Sequence, residues 1–113
     1  MKQKKRENYL DRIPARVEKF SWKEDEKGIV TLEVENRGIF NRLFQFLLKK
    51  PKVSFIHLDE MGSFIWKRLD GKKNVGDLGE EVKAEFGEKA EPLYERLSKY
   101  VQILHSYDFV KFI

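Results

Sequence analysis

A chain of 113 residues has room for one domain, and its lack of Cys excludes disulfides, thiolate metal centres, Fe–S clusters and a cysteine nucleophile together. Its net charge of +4 invites a nucleic-acid partner, but Lys2, Lys4, Lys5 and Arg6 account for the excess, and residues 7–113 balance at 19 bases and 19 acids. Charged residues reach 37%, yet 9 Phe, 4 Tyr and 2 Trp can build a core, which excludes a chain disordered throughout.

Residues 1–14 read as a basic, poorly ordered lead-in closing at Pro14, and residues 15–113 as the domain. Glu7, Asp11 and Arg12 interrupt the basic start before any apolar run, unlike a secretory signal. Ala15 to Trp22 places Phe20 and Trp22 two apart, a strand period, and Lys23 to Gly28 forms a turn. In Ile29 to Glu35, Val30, Leu32 and Val34 share one face and Thr31, Glu33 and Glu35 the other, so the two segments make a hairpin.

Phe40, Leu43, Phe44 and Leu47 then recur at helical spacing until Lys49, Lys50 and Pro51 stop them. This Ile39–Leu48 stretch is far shorter than the ~20 residues of a spanning helix, and packing on the sheet suits it better than lying on a membrane. The expectation is a soluble, cytoplasmic protein. Val53 to Leu58 is a third strand, with Phe55 and His57 facing one way and Ser54, Ile56 and Leu58 the other. Asp59 caps a helix bearing Met61, Ile65 and Leu69, with Gly71 at its left-handed end. Asn74 starts a second helix with Val75, Leu78, Val82 and Phe86 as its stripe, ended by Gly87. Pro92 opens a third carrying Leu93, Leu97, Tyr100, Val101 and Leu104, and Phe109 to Ile113 is a terminal β-like segment. The fold class is α+β and winged-helix-like: a small antiparallel three-stranded sheet followed by three helices.

Chemistry-bearing patterns are missing. His57 and His105 belong to no metal-binding spacing and read as surface or half-buried residues with local hydrogen bonds. No phosphate-binding glycine loop or nucleophile elbow occurs; Gly71, Gly76, Gly79 and Gly87 suit helix ends and helix packing. Neighbouring acids such as Glu80 and Glu81 diverge by ~100° on a helix and cannot face one substrate. The expectation is no catalytic residue, no metal and no cofactor.

Charge is segregated: residues 37–73 hold nine bases and three acids, and residues 74–95 hold two bases and seven acids. The outline also suits a DNA-binding winged helix, but the third helix offsets Arg96 and Lys99 with Glu91 and Glu95, and the second is acidic. Nucleic acid is therefore the weaker reading beside a protein or peptide partner.

The run Leu58-Asp59-Glu60-Met61-Gly62-Ser63-Phe64-Ile65-Trp66-Lys67-Arg68-Leu69-Asp70-Gly71, then Asn74-Val75, Leu78, Phe86-Gly87 and Leu93 to Leu104, resembles the PqqD family, named for pyrroloquinoline quinone biosynthesis protein D. The resemblance covers roughly residues 53–113, and the hairpin fits the family's first two strands. Asp59 stands where Asn is usual, Gly62 for Ala and Asn74 for Thr, and the 39–50 helix replaces a short connection. The resemblance implies a non-enzymatic peptide chaperone that takes the leader of a ribosomally made precursor peptide and presents it to a modifying enzyme, often a radical SAM maturase.

In that family the leader adds as a strand to the edge of the third strand and rests on the third helix, which is β-augmentation. Carried over, the peptide-binding residues are Val53, Ser54, Phe55, Ile56 and His57 on the strand, with Arg96, Tyr100 and Ile103 on one shoulder of the helix. The other shoulder, Tyr94, Val101 and His105, remains an alternative, and Phe55, Tyr100 and Ile103 equally suit plain core packing. Lys49, Lys50 and Lys52 suit an acidic leader or simple solvation. Pairing of two edges into a homodimer, a DNA-binding regulator and a module for another protein partner stay open at this level.

Overall fold

The computed structural model describes residues 9–35 and 53–113, so the expected 39–50 helix lies outside the described residues. In chain order the elements are β1 (Pro14–Arg16), β2 (Ser21–Glu24), β3 (Val30–Glu35), β4 (Val53–His57), α1 (Glu60–Lys67), α2 (Val75–Phe86), a 3-10 turn (Gly87–Ala90), α3 (Leu93–Ser106) and β5 (Val110–Phe112). The class is α+β, with an antiparallel sheet ordered β2-β3-β4 followed by helices, and a second, two-stranded sheet of β1 and β5.

The β2–β3 hairpin closes where the sequence places its turn. The Asp25 carboxylate accepts the Lys27 and Ile29 N–H groups at 2.8 and 2.9 Å, and Gly28 takes a positive φ of 85°. Val30 and Leu32 point into the core and are buried, while Thr31 faces outward, as their alternation predicts. Trp22 lies opposite Leu32 on the same inner face.

One expected strand divides in two. Ala15 to Trp22 breaks after Arg16: the Val17 N–H turns to the Phe109 carbonyl at 2.9 Å, and the chain resumes as β2 at Ser21. The reason is a competing partner, because β1 pairs in antiparallel register with the terminal β5, Pro14 opposite Phe112 and Arg16 opposite Val110. Tyr9 to Ile13, counted with the lead-in from sequence, make contacts with this sheet and the helices. The Tyr9 ring meets Phe112 edge-on, its hydroxyl donates to the Ser98 carbonyl, and the Ile13 carbonyl accepts the Ile113 N–H.

α1 and α2 each start on the cap that the sequence supplies, whereas α3 begins at Pro92 with no side-chain cap. Asp59 accepts the Gly62 N–H at 2.7 Å, and Asn74 accepts the Asp77 N–H at 2.7 Å, each satisfying a donor that a helix start leaves unpaired. The end of α1 differs from expectation. The helix stops at Lys67 with Arg68 as its C-cap, so Gly71 (φ 80°) is no cap but a turn in the strand-like bridge beside β1. Arg16 takes over that end by donating to the Trp66 and Lys67 carbonyls at 2.9 and 3.1 Å while its guanidinium lies over Trp22.

Trp66 joins the layers. It is fully buried, with the Trp22 and Phe109 rings set nearly perpendicular to it at centroid distances of 6.2 and 6.4 Å. Around it pack Val75, Leu78 and Val82 of α2 and Leu93, Leu97, Val101 and Leu104 of α3, the stripes that the helical spacing predicts. Val101 sits inside the stripe rather than on its shoulder. The α2–α3 contact is close because Gly79 has no side chain: a Cβ there would collide with the Tyr94 ring.

Candidate functional site

β4 lies at the rim of its sheet, with β3 on one side and no other described strand on the other. Backbone directions follow from two bonds. The Val30 carbonyl accepts the Leu58 N–H at 2.9 Å, and the Ile29 carbonyl accepts the Asp25 N–H at 3.0 Å, so successive β3 residues turn alternately to β4 and to β2. With Leu32 opposite Ile56 and Glu33 opposite Phe55, Ile56 bonds inward to β3, and the N–H and C=O of Phe55 and His57 point to the outer edge. Among the described residues no strand pairs with that edge, and it is a face on which a strand can add.

The side chains of β4 split by the same alternation. Phe55, 60% exposed, shares the outer face of the sheet with Glu33 and Thr31, and His57 beside it holds its Nδ1 2.8 Å from the Thr31 Oγ1. Ile56, on the inner face opposite Leu32, is still 40% exposed. Ser54 lies opposite Val34 and is half-buried; Val53 contributes its backbone opposite Glu35. Apolar side chains thus reach water on both faces of one edge strand.

The three predicted helix residues separate. Ile103 is exposed at 47%, whereas Tyr100 is half-buried and its hydroxyl donates to the Gly62 carbonyl at 3.0 Å. Burial, and secondarily the nearby Asp59 carboxylate, push the Tyr100 hydroxyl above the usual phenol range, so it remains a donor. Arg96 is exposed and donates to the Lys89 carbonyl at 2.9 Å. Arg96 and Tyr100 meet at one cavity of about 90 Å³, floored by Ile65, Val82, Ala90, Leu93 and Leu97, with Met61 and Asp59 beside them. Ile103 is not among its lining residues. Plain core packing describes neither Phe55 nor Ile103.

Sequence reasoning missed Asp59, Met61 and Gly62 as parts of the site. Their signal was the departure at Gly62 itself: a Cβ there would stand 3.1 Å from the Tyr100 hydroxyl and 2.8 Å from the Asp59 carboxylate. Gly62 follows β4 by one cap and the start of a helical turn, so it ties the end of the edge strand to α3 through Tyr100. Among the described residues no group of three or more His, Cys, Asp or Glu is placed to hold a metal ion, and no helix is long and apolar enough to cross a membrane.

The family model of coenzyme PQQ synthesis protein D (PqqD) matches residues 45–110. That span includes β4, α1, α2, α3 and the cavity that these helices line. No curated protein and no solved structure matches the chain.

Proposed function

The chain belongs to the PqqD family, and on that premise we propose that it is a non-catalytic accessory protein that binds the leader of a ribosomally synthesised precursor peptide. The leader adds as a strand to the outer edge of β4 and is presented to a modifying enzyme of the radical SAM class, in the cytoplasm. The observation that carries this reading is the edge itself: outward N–H and C=O groups at Phe55 and His57, flanked by exposed Phe55 and Ile56 on opposite faces. Main-chain hydrogen bonds then supply sequence-tolerant affinity, and the alternating side chains of the added strand supply choice.

The residues assigned are Val53, Ser54, Phe55, Ile56 and His57 for the strand, with Arg96, Tyr100 and Ile103 from α3. A duplex-DNA partner is disfavoured because α2 exposes Asp77, Glu80 and Glu85 beside α3, and a phosphate backbone would be repelled there.

The test is titration of labelled protein with the leader segments of short reading frames that neighbour the gene. Phe55→Asp is expected to weaken binding by at least about tenfold, the scale of one lost apolar anchor, with an unchanged circular-dichroism spectrum. Unaltered affinity in that variant, or tight sequence-selective binding of duplex DNA at physiological salt, overturns the reading.

A further inference from the structure

The outer face of the sheet, on the side away from the helices, holds a ring and an acid with no third member. Phe55 lies directly opposite Glu33, at a position where the two residues exchange no backbone bonds and their side chains stand closest. The ring is exposed, and among the described residues no other ring and no cation lies on it. The Glu33 carboxylate has one ion-pair partner among the described residues, Lys23 at 3.5 Å, and that lysine side chain is largely in water, so the tie is loose. His57, next along the row, is already bonded to Thr31.

The chain shows elsewhere what completes such a pair. Arg68 lies over the Phe64 ring at 3.5 Å and donates through Nε to the Glu81 carboxylate at 3.0 Å, so one guanidinium covers a phenyl face and ends on an acid. A planar guanidinium does both at once, whereas an ammonium is a compact and strongly hydrated point charge. Phe55 and Glu33 present the same ring and the same acid without the arginine. An acidic side chain laid on Phe55 would meet the Glu33 charge, and an aliphatic one would leave that charge unmatched.

Strand geometry says where the arginine comes from. The N–H and C=O of Phe55 point to the outer edge, so the residue of an added strand that bonds to them sets its own side chain on the outer face beside the ring. Its Cα then stands about 10 Å from that of Glu33, two strand spacings away. An arginine and a glutamate reaching toward each other close that gap across the phenyl ring.

We propose that the outer face of β4 selects an arginine in the bound peptide, at the position that bonds to the Phe55 backbone, with its guanidinium over the Phe55 ring and on the Glu33 carboxylate. The proposal rests on strand addition at β4, and its test separates the two. The probes are three blocked peptides, acetyl-Thr-Val-Xaa-Val-Thr-amide with arginine, citrulline or glutamate at the centre, titrated at millimolar concentration into the full chain. Citrulline keeps the shape of arginine without its charge. The Phe55 and His57 amide resonances follow strand addition, and the Phe55 ring and Glu33 carboxyl resonances follow the arginine.

The arginine peptide is expected to bind at least about threefold tighter than the citrulline peptide, the combined scale of an exposed cation–π contact and an exposed ion pair, with the glutamate peptide weakest. In the unaltered chain this advantage should fade as salt is raised. Glu33→Gln is expected to remove it while the citrulline peptide binds as before, and Phe55→Leu, which keeps the strand apolar, to reduce it. Equal affinity of the arginine and citrulline peptides, or an arginine advantage that survives Glu33→Gln, overturns the proposal and leaves strand addition standing. Absence of shifts at both amides with every peptide is the failure of strand addition instead, and takes the arginine site with it.

Discussion

In the β1–β5 sheet the chain supplies partners on both sides of β1. On the side of β1 away from β5, the Arg16 N–H donates to the Leu69 carbonyl at 2.9 Å, and the Pro14 carbonyl accepts the Gly71 N–H at 3.1 Å. β4, at the rim of the other sheet, is paired on one side by β3 and meets no described strand on the other. Both are short antiparallel strands. One has been stitched into the body as architecture, and the other keeps a row of outward N–H and C=O groups with Phe55 60% exposed beside them. Burial of a strand's backbone bonds fixes it in place, and a strand left half-paired is a template for another chain.

Trp66→Ala attacks the comparison where the two sheets meet, since this fully buried ring touches Trp22 of one and Phe109 beside the other. It is expected to cost about 3–5 kcal/mol in denaturant unfolding, and both sheets should be lost in one transition. Gly71→Ala strikes the stitched sheet alone. Gly71 has φ 80°, and an added Cβ would lie 3.2 Å from that of Ala15, so a loss of about 1–2 kcal/mol is expected from left-handed strain, read as a lower unfolding midpoint at unchanged peptide affinity. Phe55→Asp on the open edge should change stability by no more than about 1 kcal/mol while leader binding falls.

Acid provides the mildest perturbation. The Asp25 carboxyl titrates below its ordinary value because the Ile29 N–H, and then the Lys27 N–H and charge, favour its ionised form. The unfolded chain therefore binds that proton more readily than the native one. The hairpin's gain from Asp25 is complete above about pH 4, the unfolded value, and fades as pH falls through the depressed native one. A carboxyl carbon-13 titration is expected to place the Asp25 midpoint below those of exposed aspartates; a midpoint at or above them contradicts this.

The local parts of the fold were legible in the sequence. Val30, Leu32 and Val34 alternate, Asp59 and Asn74 cap, and Leu93, Leu97 and Leu104 repeat, because each signal is a matter of neighbours in sequence. The β1–β5 pairing was not legible as a sheet. Each strand is three residues long, and they join Pro14 to Phe112 across the whole chain, so no periodicity announces them. Gly71 was read as a helix cap because nothing local reveals that Arg16 closes α1 at Lys67.

The candidate site divides in the same way. Phe55 and Ile56 were assigned to opposite faces of a strand from residue order, but that both reach water depends on what packs beside β4. The Tyr100 bond to Gly62 spans 38 positions and joins α3 to the first turn of α1, a tertiary contact that local sequence does not announce. A departure from the family's pattern at Gly62 was the one trace of it.

Hydrogen exchange at single residues of β4 measures the central claim most directly. With a saturating leader peptide, the Phe55 and His57 amides, which point outward, are expected to slow by at least about tenfold as they acquire strand partners. The Ile56 amide, already bonded to β3, should change little. Saturable binding that leaves the Phe55 and His57 amides exchanging as in the free protein would contradict strand addition at this edge.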